Sequence, residues 1–457
     1  MKERREAKMH LSDLEMAKRI AEEVDLRGGC AYFVGGYVRD LLMGNPGKDI
    51  DIEVHGISPD QLKDILSTLG QTMEYGESFG IFGLKGYSLD IAMPRKETNR
   101  GRGHRDFDIF VDPHIGTLGA ARRRDFTVNA MMQNILSGEI IDHFGGREDL
   151  ENRIIRHIDP TSFVEDPLRV LRGAQFAARF EFDVAEETVL LCREMDISAL
   201  ARERVMGELQ KALLKAKKPS VFFEVLREMN QLSIWFPELE ALIGIKQNPK
   251  YHSEGDVWVH TMMVLDVAAG YIDYASNKLG FMLSALTHDF GKAICTEVIK
   301  GEIHAYSHET EGLPIIEGFM QRLTSEHQLT KYVLNMAELH MKPNALASLR
   351  ASIKSTNKMF DRSIDPEGLI CLAISDGLGK ISPLEYVSHN DFFRERLGIY
   401  REYMSRPYVC GQDLIDCGIA PGKDFSEYLS YAHKLRLAGV EKESALKQTI
   451  SFARKKK

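Results

Sequence analysis

The sequence predicts a mixed α/β domain followed by a largely helical remainder. Three observations predict this: a strand–turn–helix–strand unit over residues 31–53, a hairpin pattern over residues 79–93, and helical spacing of apolar residues almost throughout after residue 141. At 457 residues the chain is long enough for more than one domain. We expect four domains, at residues 1–140, 141–250, 251–382 and 383–457.

The composition fits an ordinary soluble protein, with 44% apolar and 28% charged residues. No apolar run is long enough to span a membrane, and the charged first ten residues lack the apolar segment of a secretory signal. The six cysteines are scattered without CxxC pairs, which predicts reduced thiols and a cytoplasmic location. A net charge of −8 does not indicate a nucleic-acid binder as a whole, although residues 95–105 and 122–124 are locally rich in arginine.

The stretch from residue 31 to residue 53 carries the strongest chemical signal. A short apolar strand ends at a glycine pair that includes Gly36, and the helical segment after it carries Arg39. In the next strand Asp49 and Asp51 alternate with isoleucines, so the strand periodicity of two places both carboxylates on one face. Because two such carboxylates repel each other, a divalent metal ion is the usual partner. With a glycine turn and an arginine suited to an anion, the unit predicts a metal–nucleoside-triphosphate site.

A capped helix and a hairpin follow this unit. Ser58 is the expected N-cap of the helix, and Gly70 follows its end. The hairpin over residues 79–93 has Asp90 on its second arm. We expect Asp90 to return to the sheet as a third carboxylate beside the first two; the alternative is an ordinary polar residue near a strand end.

The next segment is polar and then basic. Residues 93–113 are rich in Gly and Arg, which predicts a long loop that is functional or disordered. In the run RRRDFTVNA, read as a helix, Asp125 and Asn129 are i,i+4 neighbours that can contact one polar ligand. Three successive arginines are commonly a solvated surface, but we favour Arg124 as a ligand contact because the neighbouring carboxylates call for a polyanionic substrate.

After residue 141 the pattern is helical. Asp166 and the proline after it suit a helix start, and Arg169 and Arg172 follow on the same side of that helix. A capped amphipathic helix with surface arginines would explain Asp166, but it would not explain two aligned arginines among apolar residues. Two further helices are expected over residues 202–214 and 220–229.

Histidines and aspartates mark the third predicted domain. His260 lies in an apolar helical stretch, His288-Asp289 ends another, and Asp376 lies in a third. A lone histidine in an apolar stretch is usually an ordinary core residue. Ligands spread over several helices are, however, how a helical bundle builds a metal site, and we favour that interpretation. His308 and His340 are additional candidate ligands.

The order of six motifs resembles that of the bacterial tRNA nucleotidyltransferases, the class II CCA-adding enzymes whose relatives include bacterial poly(A) polymerases. The motifs lie within residues 30–245 and read GGYVRD, KDIDIE, RRRDFTVNA, GGREDLENRIIRHI, EDPLRVLR and ERVMGEL. The His260, His288-Asp289 and Asp376 pattern is similar to an HD-type metal-dependent phosphohydrolase domain. The segment GQDLIDCGIAPGKDFSEYL is similar to the tail region of other class II members.

The resemblance implies an N-terminal nucleotidyltransferase domain of the polymerase-β-like type, followed by all-α neck, body, HD and tail regions. It also implies a role for each matching residue: Gly36 and Arg39 on the triphosphate, Asp49 and Asp51 on two Mg²⁺ ions, Asp90 as the third acidic residue, Arg124, Asp125 and Asn129 on phosphate and ribose, and Asp166 and Arg169 on the base edge with Arg172 nearby. One departure is Gln175, which stands where several relatives continue the arginine series. Phosphate contacts on that face would then be weaker or moved to Arg179.

The base preference has its own chemical explanation. Cytosine and adenine each present an exocyclic amine beside a ring-nitrogen acceptor, which a carboxylate and a guanidinium match. Guanine and uracil reverse that pattern and would leave buried polar groups unpaired, at ~1–3 kcal/mol each. Asp166 and Arg169 would thus select CTP and ATP without a nucleic-acid template.

The resulting expectation is a tRNA nucleotidyltransferase that builds or repairs the 3′-CCA end with Mg²⁺, joined to a phosphohydrolase domain that holds a divalent metal of undetermined identity. Its expected partners are tRNA, CTP and ATP, and no membrane; the oligomeric state is not predicted. A CC-only or A-only enzyme is the nearest alternative, and a poly(A) polymerase fits the HD and tail segments poorly. A binding protein or phosphohydrolase with a decayed transferase site is disfavoured by the intact Arg39, Asp49, Asp51 and Arg124.

Overall fold

The computed structural model describes residues 11–45, 47, 49–74, 81–99, 107–381 and 388–455. The chain divides into two compact units, Met1–Leu200 and Ala201–Lys457. The first unit contains a mixed β-sheet with helices, and the second is almost wholly helical, so the predicted fold class is confirmed. The division into four domains remains a prediction. Within the described ranges no helix combines the length and the apolar character needed to cross a membrane.

The first unit alternates strands and helices. Its strands are β1 (Cys30–Val34), β2 (Ile50–His55), β3 (Thr72–Glu74), β4 (Ile81–Leu84), β5 (Leu89–Ala92), β6 (Arg95–Asn99), β7 (Phe107–Val111), β8 (Met132–Asn134), β9 (Ile140–Ile141), β10 (Ile154–Ile155) and β11 (Asp183–Val184). Its helices are α1 (Asp13–Asp25), α2 (Gly36–Leu42), α3 (Pro59–Leu69), α4 (Gly116–Arg122), α5 (Gly146–Glu151), α6 (Pro160–Phe163), α7 (Leu168–Phe180) and α8 (Glu186–Arg193). The N-cap predicted at Ser58 is confirmed, because its side chain and that of Gln61 form a reciprocal capping box.

Seven strands form one sheet in the order β3-β4-β5-β2-β1-β8-β9. All neighbouring pairs are antiparallel except β2 with β5, which run parallel. The hairpin predicted from the sequence is confirmed as β4–β5, with Phe82 opposite Ile91; Phe79 and Gly80, expected at its start, lie outside the described residues.

The two faces of the sheet pack against different elements. Ile50, Ile52 and Val54 of β2 are buried in the core that α1 and α3 cover, as are Leu89 and Ile91 of β5. Each buried side chain of this size contributes about 1.5–3 kcal/mol of hydrophobic stabilisation. Because successive strand residues point to opposite faces, the intervening polar residues of β2 and β5 are held on the other face.

Two sequence-based expectations for the first unit are wrong. The segment 93–113 is not simply a loop, because Arg95–Asn99 and Phe107–Val111 pair as an antiparallel ribbon; its residues 100–106 lie outside the described part of the chain. The run 122–130 is not one α-helix. Phe126 is extended and buried, it forms a β-bridge with His157, and only a 3-10 turn at Thr127–Asn129 follows.

The second unit is built from helices α9 (Arg202–Lys215), α10 (Ser220–Glu228), α11 (Leu232–Trp235), α12 (Pro237–Glu240), α13 (Val257–Ala269), α14 (Lys278–Thr287), α15 (Lys292–Cys295), α16 (His308–Glu311), α17 (Leu313–Leu323), α18 (His327–Leu339), α19 (Lys342–Ser348), α20 (Ile353–Arg362), α21 (Pro366–Leu378), α22 (Asn390–Ser405), α23 (Gly411–Asp416), α24 (Phe425–Leu437) and α25 (Lys442–Lys455). The helices expected over residues 202–214 and 220–229 are confirmed as α9 and α10. A short antiparallel pair, β12 (Glu297–Ile299) and β13 (Glu302–His304), interrupts the helical pattern. The six cysteines all lie in the described ranges, and none of them forms a disulfide bond.

Candidate functional site

Three carboxylates lie together on the sheet face away from α1 and α3. Asp51 of β2 is directly opposite Asp90 of β5 in the parallel pair, and Asp49 immediately precedes β2. Burial raises the pKa of Asp51, Arg124 opposes the rise, and repulsion from Asp90 and Asp49 adds to it. The register of β2 and β5 therefore places Asp90 beside the first two carboxylates, as expected from the sequence. Such a set of oxygen ligands suits a hard divalent cation, since bound charge would relieve the repulsion.

A cavity of about 660 Å³ adjoins these carboxylates. Among its lining residues are Asp51, Glu53, Asp90 and four arginines, Arg95, Arg123, Arg124 and Arg169. The volume lies within the usual range for a small-molecule ligand. Carboxylates for cations and guanidiniums for phosphates thus line one space.

Glu53 is a site residue that the sequence reasoning missed. Its carboxylate accepts a hydrogen bond from Arg124 at 3.3 Å and lies 2.8 Å from Nε2 of His55. Burial alone would raise the pKa of Glu53, but His55 and Arg124 outweigh it and hold that pKa below its usual value. The signal was present in the sequence, because Asp49, Asp51 and Glu53 continue one alternation.

The glycine turn between β1 and α2 touches the same site. Gly35 has a positive φ of 65°, and a Cβ built on it would lie 2.9 Å from Nη1 of Arg124 and 3.5 Å from Oδ2 of Asp51. A side chain at this position would therefore force the Arg124 guanidinium to move from its place beside the carboxylates. Gly36 begins α2, as expected from the sequence.

Arg39 is not directed into the cavity. It is 3% exposed; its guanidinium donates to Oδ1 of Asn129 at 2.6 Å and to Asp40, and it lies 4.3 Å from the centre of the Phe180 ring. Burial lowers the pKa of Arg39, and Asp40 partly compensates. Arg39, which the sequence predicts to bind the triphosphate, therefore lies in a buried hydrogen-bond network.

Asp125 and Asn129 belong to that network. Asn129 donates to Oδ1 of Asp125 at 3.0 Å, and Arg172 donates to Oδ2 at 2.7 Å. Burial would raise the pKa of Asp125, but the ion pair with Arg172 and the bond from Asn129 hold that pKa below its usual value. The predicted i,i+4 neighbours do meet, although in a 3-10 turn, and both side chains are buried.

The two residues predicted to contact the base lie at the start of α7, with Arg169 inside the helix and Asp166 just before it. The carboxylate of Asp166 accepts from the backbone amide of Leu168 at 3.1 Å, next to the helix start. Arg169 donates to the carbonyl oxygens of Ser162 and Arg123 at 2.7 and 2.8 Å, so two bonds fix the plane of a guanidinium that lines the cavity.

Position 175 differs from the arginines on the same helix. Gln175 is 1% exposed, and its Nε2 has no hydrogen-bond partner among the described residues. Arg179 is half-buried and lies over the ring of Phe180 at 4.9 Å. Of these two residues, only Arg179 is accessible enough to meet a ligand.

The second unit holds a separate cluster of imidazoles around Asp289. His260 lies in α13, His288 and His340 directly follow α14 and α18, His308 begins α16, and Asp376 lies in α21. Two groups of ligand atoms share Asp289, one with His260 and His288 and the other with His308 and His340; within each group the atoms lie within 4.8 Å of one another. Asp376 Oδ1 is 3.2 Å from Nε2 of His260.

The histidine tautomers favour a cation in this cluster. Nδ1 of His288, His308 and His340 lies 2.6–2.8 Å from the backbone carbonyl three residues earlier, which leaves Nε2 directed at Asp289. Burial, followed by repulsion from His288, lowers the pKa of His340 to about 3, so that ring is neutral at pH 7. Nε2 of His260 and His288 and both oxygens of Asp289 are buried and lie within ion-pair distance of charged neighbours, but among the described residues they make no well-directed hydrogen bond. Buried ligand atoms in this state fit a divalent metal.

Lys292 and Glu254 were not singled out from the sequence, yet both contact residues of the cluster. Oε1 of Glu254 lies 3.2 Å from Nδ1 of His260. Nζ of Lys292 is 2.7 Å from Oδ2 of Asp289, and it also donates to Gln247 at 2.8 Å. A cavity of about 430 Å³ reaches Asp289, His308 and Asp376, and Lys246, Lys292 and Lys380 also line it. Its cationic lining suits an anionic ligand.

Two protein families match the chain. Residues 31–156 match the family described as the poly A polymerase head domain, and residues 181–243 match the family described as the probable RNA and SrmB-binding site of polymerase A. The multifunctional CCA protein of Actinobacillus pleuropneumoniae is 38% identical over 327 residues, 70% of this chain and 77% of the relative. That of Pasteurella multocida is 36% identical over 404 residues, 85% of this chain and 91% of the relative.

Solved structures share the fold. The Bacillus stearothermophilus CCA-adding enzyme in complex with CTP has a TM-score of 0.67 at 19% identity, with 98% of this chain and 99% of that chain covered. The Thermotoga maritima CCA-adding enzyme complexed with tRNA has a TM-score of 0.64 at 20% identity, with 96% and 94% covered. At such identities the likeness establishes the fold.

Proposed function

The chain belongs to the family of multifunctional CCA proteins, and on that premise we propose that it is a template-independent tRNA nucleotidyltransferase that adds or repairs the 3′-terminal CCA from CTP and ATP. The observation that carries the proposal is the cavity in which Asp51 and Asp90 face Arg124 and Arg169. Relatives that bear the CCA name match most of the chain, and this favours full CCA addition over CC-only or A-only addition and over a poly(A) polymerase.

The reaction joins the 3′-oxygen of the tRNA to the α-phosphorus of the nucleotide and breaks the bond to the departing pyrophosphate. Asp49, Asp51 and Asp90 would hold Mg²⁺, which stabilises the charge on the attacking and leaving oxygens when bound. Arg124, with Arg123 and Arg95 beside it in the cavity, neutralises the phosphates, and Glu53 keeps Arg124 in place.

Arg169 and Asp166 select the base. Because two backbone carbonyls fix the Arg169 guanidinium, its remaining N–H groups are presented at a fixed angle to a ring-nitrogen acceptor. Asp166 supplies the acceptor for an exocyclic amine at the start of the same helix. Cytosine and adenine satisfy this pair, so the protein itself specifies the nucleotide.

Arg39, Asp125, Asn129 and Arg172 support that site from within the unit. Their polar atoms bond to one another in the buried network, which joins α2, the 3-10 turn and α7. We therefore propose that these four residues maintain the shape of the nucleotide site. Direct contact of Asn129 or Asp125 with the ribose would require the bonds of the network to rearrange.

Incorporation assays test the proposal. The protein and Mg²⁺ are incubated with tRNAs that end at the discriminator base, at C or at CC, with CTP, ATP or both. Stepwise products that end in CCA are expected. No incorporation on any of them would overturn the transferase assignment, A-only or CC-only products would select a partial enzyme, and long A-tails on unrelated RNA would select a polymerase.

The histidine cluster favours a second function, metal-dependent hydrolysis of a phosphate ester. His260, His288, Asp289 and Asp376 would hold the metal, with His308 and His340 completing a second ligand group around Asp289. A metal held there would polarise a water for hydrolysis, and the lysines of the adjoining cavity would hold the phosphate. Hydrolysis of p-nitrophenyl phosphate or its diester with added Mn²⁺ tests this function, and activity unchanged in His288→Ala would contradict it.

A further inference from the structure

The loop before α13 contains a completely buried carboxylate. The side chain of Glu254 is 0% exposed, its Oε1 lies 2.8 Å from Nδ1 of His252 and 3.2 Å from Nδ1 of His260, and its Oε2 accepts from the backbone amide of Ile381 at 3.0 Å. Glu254 therefore contacts the ring of one candidate metal ligand and, at the same time, the segment that follows α21.

A second bond joins the same two segments. The amide of Ser253 donates to the carbonyl of Ile381 at 2.6 Å, so the loop and the end of α21 are paired in both directions. Nδ1 of His260 also lies 3.1 Å from the carbonyl oxygen of Gly379. His260 and Asp376 are the candidate ligands farthest apart in sequence, and this small set of bonds ties together the two helices that carry them.

The consequence for His260 is a defined tautomer. Glu254 and Gly379 both offer acceptors to Nδ1, so the proton is held there and Nε2 is left as the nitrogen that faces Asp289 and Asp376. Carboxylates that accept from a metal-ligating imidazole orient the ring and raise its basicity, and their loss usually weakens metal binding about 10–100-fold.

We propose that Glu254 is a positioning residue of the second unit's metal centre, which aligns His260 for the metal and fixes the spacing between His260 and Asp376. The inference rests on the proposed metal centre and adds to it a residue that does not touch the metal. No role in the transferase reaction is implied, since the residue lies in the second unit.

Mn²⁺ titration of the full-length chain tests the proposal. Isothermal titration calorimetry is carried out on the Asp51→Ala variant, which lacks a candidate ligand of the transferase site. The Mn²⁺ binding that is lost when His288→Ala is added to this variant is the binding by the second unit. We expect Glu254→Gln to weaken this binding roughly 10–100-fold. With Co²⁺ in place of Mn²⁺, the visible spectrum of the bound Co²⁺ should differ between Glu254→Gln and the parent protein. A loss of stability alone would not change that spectrum.

Glu208→Gln is the matched control, because Glu208 is also a buried carboxylate of the second unit, in α9 beside Lys211. It should leave the Mn²⁺ affinity unchanged even if it lowers the thermal midpoint of the metal-free protein. Equal affinities for Glu254→Gln and the control would overturn the proposal. If no binding depends on His288, the metal centre itself fails, and the inference falls with it.

Should Glu254→Gln fail to fold, Glu254→Asp provides a second variant. It retains the charge, but the shorter side chain cannot reach both the His260 ring and the Ile381 amide. A weakened Mn²⁺ affinity is expected for it as well, and an affinity equal to that of the parent chain would overturn the proposal.

Discussion

Glu53 lies where the carboxylates of the cavity meet its arginines. It shares a strand with Asp51 but accepts from Arg124, and His55 supports its other oxygen. Its contribution is therefore indirect. It holds the guanidinium of Arg124 in the cavity, beside the carboxylates and in front of the proposed phosphate position.

Glu53→Gln should lower kcat/KM for nucleotide incorporation about 10–100-fold. The estimate follows from a charge-assisted hydrogen bond of ~1.5–3 kcal/mol to Arg124, at about 1.4 kcal/mol per factor of ten. Steady-state incorporation of CMP into tRNA measures the effect. Glu139→Gln, an exposed glutamate of the same unit, should be neutral, and wild-type kinetics in Glu53→Gln would refute the assigned role.

Asp125→Asn should cost about 1–3 kcal/mol of unfolding free energy at neutral pH, because Arg172 and Asn129 lose a charged acceptor. The folded-state pKa of Asp125 is depressed, so its stabilising effect is present above the unfolded pKa of about 3.9 and is lost as the pH falls through the folded value. Urea midpoints at several pH values should therefore converge for the two proteins only below about pH 4. A difference that persists undiminished in acid would contradict the ion pair, and Asp60→Asn, on the exposed first turn of α3, is the control.

At the scale of elements, the turn between β1 and α2 determines how closely the backbone approaches the site. Gly35 has a positive φ, and its absent side chain leaves room for Arg124. The neighbouring sheet supplies the carboxylates, so one turn and two strands form the carboxylate end of the cavity. The conformational freedom of glycine is needed here for steric reasons as well as for the backbone angle.

Gly35→Ala should abolish most incorporation, while Gly138→Ala should retain it. Both positions have positive φ, which an alanine adopts only with backbone strain, so both variants should lose some stability. Only at Gly35 would the new Cβ meet Arg124 and Asp51, whereas a Cβ at Gly138 would have no atom of another described residue within 4 Å, its chain neighbours aside. Parallel measurements of incorporation and thermal midpoint separate the two effects. Equal activities would show that the close approach is unimportant.

Elements with apolar periodicity were predictable from the sequence, and polar elements were not. Buried apolar residues, spaced as a strand or a helix requires, mark β1, β2, the β4–β5 hairpin, α13, α14 and α21. The β6–β7 ribbon was missed because its sequence lacks the alternation of a half-buried strand. The break at Phe126 was missed because it depends on pairing with His157, which is distant in sequence.

At the scale of the whole molecule, each of the two units carries its own set of candidate metal ligands. Asp49, Asp51 and Asp90 belong to the first unit, and the cluster around Asp289 belongs to the second. Residue type and spacing in the sequence are enough to propose the candidate ligands of both sets, and the fold brings the members of each set together. Their supports, Glu53, Glu254 and Lys292, could not be predicted, because each acts through a contact that only the folded chain creates.

Asp51→Ala and His288→Ala should have opposite effects. Asp51→Ala should reduce incorporation by more than the roughly 10–100-fold typical of residues that only support a metal ligand, and it should leave Mn²⁺ binding by the second unit intact. His288→Ala should remove that Mn²⁺ binding and leave CCA addition unchanged. Incorporation assays and calorimetry on both variants provide the comparison, and loss of both properties in either variant would indicate unfolding rather than a local defect.

The parallel pairing of β2 with β5 has a consequence for how the enzyme comes to be active. Asp51 and Asp90 become neighbours only after the chain has passed through α3, β3 and β4, so the site depends on a contact between residues far apart in sequence. Such contacts are slow to form during folding. A one-residue slip would also turn Asp90 to the opposite face. A nascent chain on the ribosome therefore cannot bring Asp51 beside Asp90 until β5 has emerged and paired with β2, so the proposed metal site forms no earlier than this strand pair.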